Sequence, residues 1–194
     1  MVGTWQDPFR RREVWYDSGL EAKLLLVLIA APDVVEIREQ QRANFVLGGR
    51  KRHHFFDCVV RWSDNSRSAC AIKYEKDVTP ELEDDLDAIA DQRGDAFADD
   101  VRILTEMYTD VAGIKNAARI VQCGLDYDEE AQEFVLGELA RLDEMVCLRN
   151  LDRLGGDGVR ASRAAIALIQ RGVLAVPPGD VIGPDTLLCN RFTS

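Results

Sequence analysis

Apolar residues at Leu20, Leu24, Leu25, Leu28 and Ile29 recur at the spacing of one helical face. They follow Ser18-Gly-Leu-Glu21, which has the Ser-x-x-Glu spacing of a capping box, so a helix is predicted from about Gly19 to Ala30. Pro32-Asp33 breaks it, and Val34 to Arg38, rich in β-branched residues, reads as a short strand. Asn44 to Leu47 and His54 to Trp62 read as the next two strands, joined by a wide turn holding Gly48-Gly49 and the basic residues that follow. Ser63-Asp64-Asn65-Ser66 is a second turn leading into a strand over Ser68 to Tyr74. There alternation puts Ala69, Ala71, Lys73 and Glu75 on one face and Cys70, Ile72 and Tyr74 on the other.

Thr79-Pro80-Glu81 opens a helix with an N-cap, a proline at the first helical position and acids in the first turn, ending near Gly94. A buried strand over Val101 to Leu104 and a helix from Thr109 or Asp110 to about Gln122 complete a mixed α/β unit. From Asp126 onward the pattern is helical, with Phe134, Val135, Leu139 and Leu142 on one side and further helices at Met145 to Leu154 and Arg160 to Arg171. The break Gly155-Gly156-Asp157-Gly158 separates the last two. Val173 to Val176 and Asp185 to Cys189, either side of Pro177-Pro178-Gly179, read as two short strands of a wing. The predicted organisation is an α/β domain over residues 1–125 and a helical, winged-helix-like domain over 126–194, within the 194 residues of the chain.

Composition narrows the class. Hydrophobic residues at 46 % and charged residues at 30 % supply a core and exclude a mainly disordered chain. The longest apolar run, Leu24 to Ala31, is far shorter than the roughly 20 residues of a membrane-spanning helix. The charged N-terminal stretch around Arg10, Arg11 and Arg12 does not resemble a secretory signal, so a cytoplasmic location is expected. The five cysteines are scattered without a CxxC pair, which predicts reduced, mostly buried thiols. A net charge of −10 excludes a protein that coats nucleic acid by bulk electrostatics. Any such contact must be local, and Arg42, Arg50, Lys51, Arg52, His53 and His54 form the one basic cluster; a solvated hairpin end is the alternative reading of the same residues.

Three residues stand in a suggestive order: Glu21 on the first helix, Asp57 in a strand after the basic turn, and Lys73 on the next strand. The order resembles that of PD-(D/E)XK nucleases. In that chemistry carboxylates hold a hard divalent cation and a lysine orients or helps deprotonate the attacking water. Glu21 alternatively serves only its capping box, and Lys73 alternatively protects a sheet edge. Asp57, in an apolar strand, is harder to explain without a partner or metal.

Over most of its length the chain resembles the TnsA transposon endonuclease family. The resembling segments are Ser18-Gly-Leu-Glu21, Val35-Glu-Ile-Arg-Glu-Gln40, His54-Phe-Phe-Asp57-Cys-Val, Ala71-Ile-Lys73, Ile103-Leu-Thr-Glu106, Asn116-Ala-Ala-Arg119, and the region from Ala165 to Cys189. The resemblance implies a restriction-endonuclease-like mixed sheet flanked by helices, followed by a winged-helix-like region that binds DNA or a partner. It implies Mg²⁺ or Mn²⁺ held by Glu21 and Asp57, catalysis by Glu21, Asp57 and Lys73, DNA as substrate and a transposase among the partners. Arg50, Lys51 and Arg52 are the expected phosphate contacts. Ala71 departs from the pattern, which has Glu or Gln two residues before the lysine, and Phe56 stands where a proline is usual. Glu39 or Gln40 is an alternative oxygen source. Glu75, two residues along the strand from Lys73, is too far from position 71 to replace that ligand. The missing carboxylate leaves open a catalytically inactive nuclease-fold module that binds DNA ends or protein.

Overall fold

A computed structural model describes residues 2–93, 97–142, 144–156 and 158–192. By its internal contacts the chain divides into two units, Met1–Trp5 with Glu13–Leu28 and Val34–Asp110, and Gln6–Arg12 with Ile29–Asp33 and Val111–Ser194. The division therefore falls at 110/111 rather than at the predicted 125/126, because the helix after Asp110 packs with the second unit. Two short pieces before residue 34 also count with the second unit.

A two-stranded ribbon absent from the sequence-based prediction, β1 (Gly3–Asp7) and β2 (Arg12–Tyr16), precedes the first helix. Helix α1 (Gly19–Ala30) starts and stops where the capping box and Pro32 predict. The Ser18 hydroxyl accepts from the Glu21 amide at 3.1 Å, and the Glu21 carboxylate accepts from the Asp17 amide at 2.9 Å. Leu20, Leu24, Leu25, Leu26, Leu28 and Ile29 are all buried, so apolar side chains cover nearly the whole circumference.

A four-stranded mixed sheet carries the rest of this unit in the order β3 (Val34–Leu47), β4 (Arg50–Trp62), β5 (Arg67–Ile72), β6 (Asp100–Leu104). The first three strands are antiparallel neighbours and the last pair is parallel, as a helical crossover requires. The two predicted strands at Val34 and Asn44 are one continuous strand, which passes through Gln40 at φ 52 without losing register. The turn predicted to be wide is tight: Leu47 pairs directly with Arg50 across Gly48 and Gly49, whose φ values of 58 and 74 suit a two-residue hairpin turn. Arg50, Lys51 and Arg52 are thus strand residues.

Helix α2 (Pro80–Arg93) forms the crossover between β5 and β6. Thr79 caps it, its hydroxyl accepting from the Leu82 amide at 3.3 Å, and Gly94, the predicted stop, lies outside the described residues. Its Leu86 and Ile89 are buried with Ala43, Phe45, Phe56, Val59, Ala69, Ala71 and Ala98 in one apolar cluster, while its acids stay on the surface.

The second unit contains α3 (Val111–Leu125), α4 (Glu129–Leu139), α5 (Leu148–Gly155) and α6 (Arg160–Leu168) with three short strands, β7 (Met145–Cys147), β8 (Leu174–Ala175) and β9 (Leu187–Asn190). Helix α6, alanine-rich and buried along most of its length, packs on the other three helices. The predicted strand pair is present, Leu174 opposite Asn190 and Ala175 opposite Cys189. A third strand joins it at Met145–Cys147, where the sequence reads as helix; three apolar residues are too few for periodicity to separate the two states. Asp157, in the predicted glycine-rich break, lies outside the described residues. All five cysteines are free thiols, and Cys58, Cys70 and Cys123 are buried. Among the described residues no helix is long and apolar enough to cross a membrane.

Candidate active site

The β4–β5 ladder ends at Cys58 opposite Cys70. One residue further along β4, the side chain of Asp57 takes over the role of a strand carbonyl: its Oδ2 accepts from the Ile72 amide at 2.6 Å. Lys73 follows immediately after β5, its own amide bonded to the Leu104 carbonyl at 3.1 Å and its Nζ 3.8 Å from Asp57 Oδ2. Asp57 thus sits where two strands part, with a backbone donor and an ammonium on one of its oxygens.

Glu21 enters from the first turn of α1 and is 7 % exposed. One of its oxygens is committed to the Asp17 amide, one residue before the Ser18 amide that the return arm of a capping box uses. It is also close enough to Asp57 for its charge to be felt there. Burial pushes the Asp57 carboxyl up, the Ile72 amide and the Lys73 ammonium pull it back, Glu21 adds to the rise, and the net effect is a pKa raised from its ordinary value. The three residues singled out from the sequence are therefore electrostatically linked through Asp57.

His54, two residues before Asp57 on β4, is a neighbour that sequence reasoning left among exposed or phosphate-facing residues. The ring is half-buried, packs edge-on against Phe56 with centroids 4.8 Å apart, and buries Nε2 without a hydrogen-bond partner among the described residues. Burial and the Lys73 charge hold its pKa below the usual histidine value against the opposing pull of Asp85. Only the parity of β4, which sets His54 with Phe56 and opposite Ala43, signals this in the sequence.

Position 71 offers no oxygen. Ala71 is fully buried in the apolar cluster beneath α2. Of the alternative donors, Glu39 accepts from the Trp15 amide at 2.9 Å and Gln40 is exposed. Among the described residues no three of His, Cys, Asp and Glu form a group able to hold a metal ion. Two carboxylates whose charges oppose each other remain, and that donor set fits Mg²⁺, which binds through one or two carboxylates and fills its other positions with water and substrate phosphate. It does not fit a cation that needs an all-protein cage.

The three predicted phosphate contacts are not brought together. Alternation sends Arg50 and Arg52 to one side of the ribbon and Lys51 to the other. Arg52 pairs with Asp85 of α2 at 2.8 Å, a half-exposed ion pair that contributes at most about 1 kcal/mol. A groove of about 580 Å³ borders this ribbon, lined by Arg42, Asn44, Lys51, His53, Gln92 and Arg93 among others. No family model matches the chain, and no curated protein matches it.

Proposed function

We propose that this chain is a TnsA-like, metal-dependent DNA endonuclease subunit that hydrolyses phosphodiester bonds. The observation that carries this reading is the junction of Asp57, the Ile72 amide and Lys73 at the parting of β4 and β5, with Glu21 delivered to it by α1. In this reading the mixed sheet with its helices is a restriction-endonuclease-like core. The second unit is a winged-helix-like region that meets DNA or a protein such as a transposase.

Glu21 and Asp57 would hold Mg²⁺ or Mn²⁺, which when bound supplies Lewis-acid activation of the scissile phosphate and of the attacking water. The Ile72 amide holds Asp57 in a fixed orientation, leaving its other oxygen for this task. Lys73, half-exposed and 3.8 Å from Asp57, orients the water or neutralises charge on the phosphate. Supercoiled plasmid incubated with the full chain and Mg²⁺ or Mn²⁺, alone and with a candidate transposase, should be nicked or linearised. Asp57→Ala and Lys73→Ala should each slow that reaction by about a hundredfold or more.

Ala71 favours a second reading, a nuclease-fold module that has lost catalysis and binds DNA ends or a protein partner. Its methyl group is packed in the apolar cluster and provides no ligand to a cation. A chain that binds DNA but cuts under none of these conditions supports this second reading.

A further inference from the structure

The cleavage chemistry makes no use of the outer face of the β3–β4 ribbon. Between Glu39 and Asp57 there is no acid, although the chain has 34, and Arg42, Arg50, Lys51 and Arg52 fall in this stretch. The register divides the side chains of the ribbon cleanly. Ala43, Phe45 and Phe56 turn into the cluster beneath α2, whereas Arg42, Asn44, Val46, Lys51, His53 and Phe55 are all exposed.

Phe55 is the informative residue on that face, with half of its surface in solvent. A single exposed apolar side chain is ordinary, but this one is set among flat and cationic groups. His53 meets its ring edge-on at 5.6 Å, and the Arg42 guanidinium stands 5.9 Å from its centroid on the neighbouring strand. Lys51 continues the same face toward the hairpin turn, and the groove that Arg42, Asn44, Lys51 and His53 help to line takes a further cation from Arg93. Arg52, by contrast, is occupied by Asp85.

A half-exposed aromatic ring beside cations that have no ion-pair partner among the described residues fits a ligand that presents both π-faces and phosphates. A duplex presents phosphates but keeps its base faces stacked inside, so the Phe55 ring would have nothing to meet. We propose that this face binds single-stranded DNA, one base stacking on Phe55 and the Arg42 guanidinium plane, with Lys51 and Arg93 on the flanking phosphates. The assignment to DNA rests on the function proposed above, but binding at this face does not require the cleavage chemistry.

The test is fluorescence anisotropy of the full chain with a labelled oligo(dT) of about 20 nucleotides, a blunt duplex of equal length and an oligo(rU), all in EDTA and low salt. Oligo(dT) should bind most tightly. Phe55→Ala should weaken it about tenfold and Phe55→Trp should retain it, within the range of stacking effects seen at aromatic platforms. Lys51→Ala and Arg93→Ala should each lower the log–log salt slope by about 0.7. Melting curves of each variant, expected to overlay the parent, separate lost contacts from lost folding. Equal or tighter duplex binding, preference for oligo(rU), absence of oligonucleotide binding, or unchanged affinity in folded Phe55→Ala would each overturn the proposal. Plasmid cleavage in Mg²⁺ separates the two readings: cleavage with no loss of binding in Phe55→Ala defeats this proposal alone, and binding without cleavage defeats the nuclease reading alone.

Discussion

The two ends of β4 are built on opposite terms. Toward the hairpin, Lys51, His53 and Phe55 lie in the open on one face of a ribbon that Gly48 and Gly49 close tightly. At Asp57 the pairing with β5 has just stopped, and a carboxylate is held among apolar neighbours by one amide and one ammonium. Charge displayed in water is inexpensive and suits encounter with a polyanion, but it cannot be placed to within a fraction of an ångström. Charge held in a half-buried junction is costly, and that cost persists only where the surrounding strands fix it in place. If the proposed function holds, contact with a ligand and chemistry on it lie at different places on a single strand, and substitutions should separate them.

The widest contrast is between two adjacent rings. Phe56 is fully buried in the cluster beneath α2, so Phe56→Ala should cost about 3–5 kcal/mol by denaturant melting, whereas Phe55→Ala should change stability by about 0.5 kcal/mol or less. Similar losses from both would mean the ribbon is packed on both faces.

Ala71→Glu comes next. It places a carboxyl group in the same cluster and should destabilise the fold by about 2–4 kcal/mol at neutral pH, less in acid where the group is protonated. If added Mn²⁺ recovers most of that loss, position 71 has access to the Glu21–Asp57 site and the missing ligand has been restored; if not, it is closed to the site.

At the other end, Gly48→Ala should cost about 1–2 kcal/mol because φ is +58 there, and should weaken oligonucleotide binding through the ribbon while leaving Mn²⁺ binding unchanged. The smallest effect is expected at Asp57 itself. Its folded pKa is raised, so the folded state binds more protons than the unfolded one between the two pKa values, and this group's contribution to stability falls as pH rises through that window. Asp57→Asn keeps an oxygen for the Ile72 amide and removes the charge. It should raise Tm by about 2 °C at neutral pH in EDTA and have no such effect below the usual carboxylate range.

Much of this frame is legible in the sequence where one local rule acts alone. The capping box and Pro32 bound α1 correctly, and Thr79-Pro80 places the start of α2. The order of Glu21, Asp57 and Lys73 is legible as well, as is the buried character of Asp57. What the residues do not reveal depends on pairing between distant segments. Whether Arg50, Lys51 and Arg52 form a loop or a strand depends on which turn Gly48-Gly49 adopts, and the paired ladder chooses the tight one. That choice sends Lys51 away from Arg52 and gives Arg52 to Asp85, 33 residues later. The strand at Met145–Cys147 exists because β9 is there to pair with it, a partner some forty residues away that no local window contains. His54 is missed for the same reason, since its surroundings come from α2 and from the residue after β5.

The central claim is that Glu21 and Asp57 form one divalent-cation site, and titration of Mn²⁺ against melting temperature tests it most directly. The parent chain should gain several degrees at saturating Mn²⁺, because a ligand that binds only the folded state stabilises it by mass action. The gain should shrink as pH falls and Asp57 takes up its proton, and it should vanish in Asp57→Asn and in Glu21→Gln. A gain of equal size in both variants would contradict the account and place the cation elsewhere, with the acidic surface of α2 the first place to look.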